Sequence, residues 1–267
     1  MRVVSLHPDV LVATSAVWQT TCTIVRGPVD GDDSAGAEGP DAAEAFVIDS
    51  PVLPQELEVL PSLLAQAGFP FTGLLATHGD WDHLLGRLAF GADAPLGVCE
   101  TTAARLAGEP GAAARALREF DLEWYVDRAA PLGLGSVQAL PVPGHVDLGD
   151  RTLELHPTGG HTADGMAVWI PWARVLVAGD HLSPVELPMF SPGGSRSAYL
   201  ATLARLRPLV EQADHVVPGH GAVLDGVRAL AILREDVAYL QDGTLPLARR
   251  DAAQLKVHAR NQQHEAL

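Results

Sequence analysis

Apolar and polar positions alternate in short runs from the first residues onward. Val3 to Leu6, Val10 to Ala13 and Thr20 to Val25 read as strands, with Thr14 to Trp18 as a connection. Ala45-Phe46-Val47-Ile48 is a buried strand that stops at Asp49. The period then lengthens, and Leu57, Leu60 and Leu64 mark one face of a helix over Pro54 to Ala67. Leu74 to Thr77 and Leu96 to Cys99 follow as strands, and Thr101 to Leu106 and Ala112 to Phe120 as helices. From Val137 onward the elements shorten. Val137 to Leu140, Val146 to Leu148, Thr152 to His156, Met166 to Ile170 and Arg174 to Ala178 are strands between Gly, Pro and Asp turns, which predicts a mostly antiparallel sheet. Helices over Ser197 to Glu211 and Val227 to Leu240 flank a strand at Val216-Val217. Residues 27–43, rich in Gly, Pro and acids, read as an exposed hairpin tip or disordered loop.

The chain has 267 residues, enough for one α/β or sandwich domain with a large core. No repeat or linker divides it, so a single domain over 1–267 is expected, with its core at about 3–240 and a C-terminal helical extension at 241–267. A formal charge of −15 works against nucleic acid and anionic membranes as partners. Cys22 and Cys99 are the only cysteines, far apart and without CxxC spacing, so they form neither a disulfide framework nor a thiolate cage. The N-terminus lacks an apolar signal region and no stretch is long enough to span a membrane, so a cytoplasmic location is expected.

The chemistry concentrates at Thr77-His78-Gly79-Asp80-Trp81-Asp82-His83, directly after the apolar run Gly73 to Ala76. Imidazole nitrogen and carboxylate oxygen suit zinc- and iron-type ions, and the end of a buried strand holds such groups accurately. The alternative is a His- and Asp-rich turn that caps the next helix, with Asp82 as N-cap. Three later strand ends carry further ligand-type residues beside glycine: His161 in Gly160-His161-Thr162, Asp180 in Gly179-Asp180-His181, and His220 in Pro218-Gly219-His220-Gly221. A shared metal site explains all four together better than four separate loop residues do.

In this order, Phe46-Val47-Ile48-Asp49, Asp82-His83-Leu84-Leu85-Gly86 and the three later motifs resemble the metallo-β-lactamase superfamily, from about Val3 to about Leu240. The resemblance implies a four-layer αββα sandwich with metals at one sheet edge. It also implies two divalent ions, zinc before iron or manganese. His78, Asp80 and His161 would hold the first, Asp82, His83 and His220 the second, and Asp180 would bridge them. Asp82 and Asp180 would be the catalytic carboxylates. His181 would orient a ligand or donate to a leaving group, with a structural role equally open.

The departure is Asp80, where the family pattern has histidine. A carboxylate is a harder ligand and adds negative charge, so on ligand type alone Asp80→His should raise zinc affinity at the first metal. The other reading of Asp80 turns it to the backbone, away from the ion.

The activity implied is hydrolysis of a small-molecule ester, thioester or lactone by a hydroxide held between two ions. No Gly-x-Ser-x-Gly motif offers a serine nucleophile instead. Trp18, Trp81, Met189, Phe190 and Arg196 lie on the loops expected to select the substrate, the apolar groups against its body and the arginine on an anion. Trp18 packed under the sheet is the plain alternative for that residue. A small molecule is the expected partner, without nucleic acid or membrane and with a homodimer left open. Two other readings stand beside the hydrolase: a mono-iron persulfide dioxygenase of the same fold, and a non-catalytic metal-binding or scaffold protein.

Overall fold

The computed structural model describes residues 1–27 and 43–264, with the side chain of His264 excepted. The 27–43 loop expected from sequence therefore falls almost wholly outside the described residues.

Strands β1 (Arg2–His7), β2 (Val10–Thr14), β3 (Thr21–Arg26) and β4 (Ala45–Ile48) lead into helix α1 (Pro54–Ala67) and strand β5 (Phe71–Leu75). A single 3-10 turn at Trp81–His83 and helix α2 (Gly86–Phe90) precede β6 (Leu96–Cys99), α3 (Glu100–Gly108), α4 (Ala112–Trp124) and β7 (Gln138–Leu140). These seven strands form one sheet in sequence order, antiparallel from β1 to β4 and parallel from β4 to β7. The second sheet contains β8 (Gly144–Leu148), β9 (Arg151–Pro157), β10 (Met166–Ile170), β11 (Val175–Gly179), β12 (His215–Pro218) and β13 (Leu224–Asp225), again as sequence neighbours. Helix α5 (Arg196–Gln212) connects β11 to β12, and α6 (Gly226–Asp242) and α7 (Ala252–His264) end the chain.

Two details differ from the sequence expectation. The antiparallel stretch begins at β8 rather than Val137, because β7 pairs parallel to β6 at the edge of the first sheet. Strand β5 runs Phe71–Leu75 instead of Leu74 to Thr77, so Thr77 belongs to the ligand loop.

The strands' apolar runs follow from burial on both faces. In β2, Val10 and Val12 face the second sheet while Ala13 faces the helices; in β11, Val175 and Val177 face the first sheet while Leu176 and Ala178 face α5 and α6. Alternate residues thus serve two different cores, which needs β-branched and aliphatic side chains at nearly every position. The inner core joins Val12, Ile48 and Leu75 to Leu155, Val168 and Val217, and outer cores lie under α1 and α4 and under α5 and α6. The result is the αββα sandwich.

Helix α1 shows how local chemistry fixes such an element. Pro54 occupies its first turn, Glu56 Oε2 accepts from Leu53 N at 3.2 Å, and Gly68 closes the far end in the left-handed conformation at φ 72°. Glu56 also accepts from Ser15 Oγ at 2.6 Å and Ala16 N at 2.9 Å, which ties down the loop carrying Trp18. Cys22 and Cys99 are buried free thiols, and burial, with Asp49 nearby, pushes the Cys22 thiol up. Among the described residues no helix is long and apolar enough to cross a membrane.

Candidate metal centre

The two sheets meet at one edge, where β3 and β12 touch. Thr21 N donates to Gly219 O at 2.8 Å and Thr21 Oγ1 to Pro218 O at 2.6 Å. Four loops open onto this seam, and they bring together all seven ligand-type residues expected from sequence. The His78–His83 loop comes from the first sheet; His161 follows β9, Asp180 follows β11 and His220 follows β12. Five of the seven are buried, and Asp80 and Asp180 are half-buried, with Asp80 the more open of the two. The capping alternative is not realised, since Asp82 lies inside the short turn at Trp81–His83 and the next helix, α2, has Leu85 at its N-cap without a side-chain cap.

Distances show what this cluster suits. Asp80 Oδ2 lies 3.6 Å from His78 Nε2 and 3.2 Å from His161 Nε2. Asp82 Oδ2 lies 3.7 Å from His83 Nε2 and 3.4 Å from His220 Nε2. Asp180 reaches all four imidazoles, at 3.6 Å from His78, 3.1 Å from His83, 3.3 Å from His161 and 3.3 Å from His220. Two ligands bound to one tetrahedral ion at ordinary bond lengths stand about 3.3–3.6 Å apart, so these separations suit atoms that share ions. The Nε2 atoms of His78 and His83 and Oδ1 of Asp180 are buried without a hydrogen-bond partner. Buried polar atoms seldom go unpaired, and an ion would satisfy all three. Three clusters have the reach to hold one: His78, Asp80 and His161; His78, His83 and Asp180; Asp82, His83 and His220.

The far nitrogen of each imidazole is turned to an oxygen. His78 Nδ1 lies 3.1 Å from Thr77 Oγ1, which itself donates to Asp49 Oδ2 at 2.9 Å. His161 Nδ1 lies 3.0 Å from Met189 O, and His83 Nδ1 stands 3.0 Å from Asp49 Oδ2 as an ion-pair contact outside hydrogen-bond geometry. His220 Nδ1 lies 3.3 Å from both Trp18 O and Thr20 Oγ1. With an ion on Nε2, each ring would carry its proton on Nδ1, toward these oxygens, the arrangement usual in metal-binding histidines. Asp49 and Trp18 adopt φ values of 60° and 51°, so strained backbone supports two of these contacts.

Without an ion, the cluster's own charges compete. Burial alone would lower the histidines and raise the carboxylates, but mutual attraction outweighs it. Asp80 and Asp180 lift His161 to about 9, and Asp180 with Glu186 lifts His220 to about 10. Against the same opposition from burial, the imidazoles hold Asp80 and Asp180 well below the usual carboxylate range. His181 behaves differently: burial, with His161 nearby, pushes it down to about 3, and its ring packs 4.5 Å from that of Tyr199. Tyr199 Oη donates to the main-chain oxygen of Asp180 at 3.0 Å, which fixes the aspartate's backbone.

The family model described as the metallo-beta-lactamase superfamily matches residues 39–220. The chain belongs to this superfamily. Among solved structures, a metallo-beta-lactamase family protein from Thermus thermophilus aligns with TM-score 0.65 and 20% identity, covering 98% of this chain and 95% of that one. A metallo-beta-lactamase from Pontibacter korlensis aligns with TM-score 0.60 and 19% identity over 87% of this chain and 98% of that one. At such identities the likeness is one of fold. A Caenorhabditis elegans protein called beta-lactamase-like protein 2 homolog is 34% identical over 76 residues, 28% of this chain and only 24% of that relative.

The five residues expected to select substrate separate into two groups. Trp18 and Trp81 meet at 5.6 Å between ring centroids and both pack on Phe120, beside the ligand loop. Trp18 is 45% exposed, so it is not packed under the sheet. Met189 belongs to the site through its main-chain oxygen on His161. Phe190 and Arg196 line a different cavity of 320 Å³, with Tyr239, His258 and Asn261.

Sequence reading assigned no role to Asp49, Thr77, Arg105 or Asp164. Only Asp49 carried a signal, as the acidic end of a buried strand.

Proposed function

We propose that this member of the metallo-β-lactamase superfamily is a metal-dependent hydrolase of a small-molecule ester, thioester or lactone. The observation that carries the reading is the contact of Asp180 with four imidazoles whose far nitrogens are each turned to an oxygen. His78, Asp80 and His161 would hold one divalent ion, Asp82, His83 and His220 a second, and Asp180 both, with zinc the first choice. When bound, such ions supply an activated water near neutral pH and Lewis acidity toward the substrate oxygen.

The chain's own residues do the rest. Asp49, Thr77, Met189 and Trp18 keep the four rings in one tautomer and orientation. Asp82, held against His83 and His220, offers its carboxylate to the proton of the attacking water. The Trp18 and Trp81 rings form an apolar wall for the body of a small substrate. A charge of −15 favours such a partner over nucleic acid.

The test is elemental analysis of protein produced without chelators, together with a screen of thioesters, lactones and phosphodiesters. More than one equivalent of transition metal, with turnover of a carboxylic ester, thioester or lactone that chelator abolishes, is the expected result. Metal at or below one equivalent refutes the two-ion site, and turnover confined to phosphodiesters refutes the substrate class. One observation favours a second reading: each ligand cluster contains two histidines and one carboxylate, the set used by non-haem iron oxygenases. Iron at one equivalent with oxygen uptake on a persulfide would select the dioxygenase.

A further inference from the structure

We infer that Arg105 makes position 80 a carboxylate position, by presenting hydrogen-bond donors where a histidine ligand would need an acceptor. The inference rests on the metal-binding reading of the site. Arg105, on α3, forks between two carboxylates, with Nη2 2.7 Å from Asp80 Oδ1 and Nη1 2.9 Å from Asp164 Oδ1. Asp164 is buried, and its Oδ2 accepts from Gly79 N at 2.9 Å and Thr102 Oγ1 at 2.7 Å. The ligand loop is therefore gripped twice, at the backbone of Gly79 and at the side chain of Asp80. The approach is close. A Cβ at Gly79 would stand 3.2 Å from Asp164 Oδ2, tighter than most side chains tolerate, and in van der Waals contact with Arg105 Cδ at 3.4 Å.

Asp80 is thereby divided. One oxygen is committed to the guanidinium, and the other faces His78 and His161. A carboxylate suits this divided role because both of its oxygens accept. A metal-bound imidazole does not: its lone pair goes to the ion, and its second nitrogen carries a proton and must donate, usually to a carboxylate or carbonyl. Guanidinium has donors only. Asp80→His would set donor against donor and leave a cation facing the ion without Asp80 between them. The gain in zinc affinity expected from ligand type alone is thus reversed.

The same reasoning names the compensating change. Arg105→Gln provides one acceptor, for the proton of an imidazole at position 80, and one donor for Asp164. Arg105→Gln should therefore weaken metal binding when aspartate occupies position 80 and strengthen it when histidine does.

The experiment titrates Zn²⁺ into four metal-stripped proteins: wild type, Arg105→Gln, Asp80→His and the double variant. Calorimetry gives affinity, elemental analysis gives stoichiometry, and circular dichroism melts of the stripped forms check folding. Arg105→Gln and Asp80→His should each lose roughly 10- to 100-fold in affinity, the usual cost of disturbing a group that orients a ligand. The double variant should recover at least tenfold over Asp80→His alone. Zinc binding tighter in Asp80→His than in wild type, or an effect of Arg105→Gln in the same direction on both backgrounds, overturns the inference. If Arg105→Gln does not fold, Arg105→Lys replaces it: having donors only, it must weaken the wild-type site and fail to rescue Asp80→His, and rescue overturns the inference. A wild-type protein that takes up no divalent ion overturns the metal reading and this inference together. A wild type that binds while the variants behave alike overturns the inference alone.

Discussion

Replacing Gly219 by alanine adds one methyl group at the most crowded point of the seam. Its Cβ would overlap Asp180 Oδ1 and lie 3.0 Å from the Gly179 carbonyl carbon and 3.1 Å from His83 Cε1. Two of these neighbours are proposed ligands, and the third is backbone pinned by the bond from Gly219 N to Gly179 O at 2.6 Å. The carboxylate has to give way. Restoring ordinary contact moves its oxygen by more than about 1 Å, whereas metal–ligand distances tolerate only about 0.2 Å. Overpacking of this kind costs about 1–3 kcal/mol. If that strain falls on the metal-bound form, Zn²⁺ affinity drops by about one to two orders of magnitude. Competition with a chelator of known affinity measures the loss, and circular dichroism verifies the fold. Gly108→Ala is the control, because a Cβ there meets nothing within 4 Å; it should be neutral or slightly stabilising at the end of α3. Gly219→Ala with unchanged metal content and affinity would show that Asp180 does not bind the ion.

Asp180→Ala should abolish metal uptake, because this side chain touches all four imidazoles, whereas His181→Ala should retain metal and cost activity by about 10- to 100-fold; equal losses of metal would refute the assignment. The stability of the metal-free protein should fall as pH rises: with folded pKa values raised to about 9 for His161 and about 10 for His220, their stabilisation is complete below about pH 6.5 and lost through that range. Melting temperatures of chelated protein from pH 6 to 10 check the sign, and a rising trend would contradict it. Arg249→Met should cost about 3–5 kcal/mol in urea denaturation, because Arg249 and Asp236 are each 1% exposed and 2.5 Å apart, and Asp236 would be left buried without its counter-charge. Since Arg249 also holds the carbonyl oxygens of Ser183 and Glu186, on the loop leading to Met189, the same variant should weaken metal binding; an unchanged urea midpoint would refute the argument.

What the sequence made legible was whatever depends on local period and residue type. Pro54–Ala67 was bounded to the residue because proline, a capping glutamate and leucines at helical spacing all act within one element. The seven ligand-type residues were recognisable because four cluster directly after one apolar strand and the other three each follow a further strand beside glycine. The partners of those residues were not. Arg105 sits on an ordinary amphipathic helix, and Asp164 is 59 residues away; only packing of α3 against the loop after β9 brings them to Asp80. The assignment of Arg196 to the substrate loops failed to anticipate its position for a related reason: α5 begins there and carries it to a cavity shared with α6 and α7. Met189 was selected for its side chain, while its contact with His161 is made by backbone, which residue type does not reveal.

Each of the three ligand clusters takes two residues from the His78–His83 loop and one from the second sheet. Neither half of the chain contains a complete set, so an ion held here fastens positions roughly 80 to 140 residues apart in sequence, spans over which closing a loop in the unfolded chain is costly. In a protein whose two cysteines are both free, that ion takes the place a disulfide would fill. Metal uptake during folding would then report that both sheets have docked in register, and a chain with either sheet misassembled would remain empty and open to proteolysis.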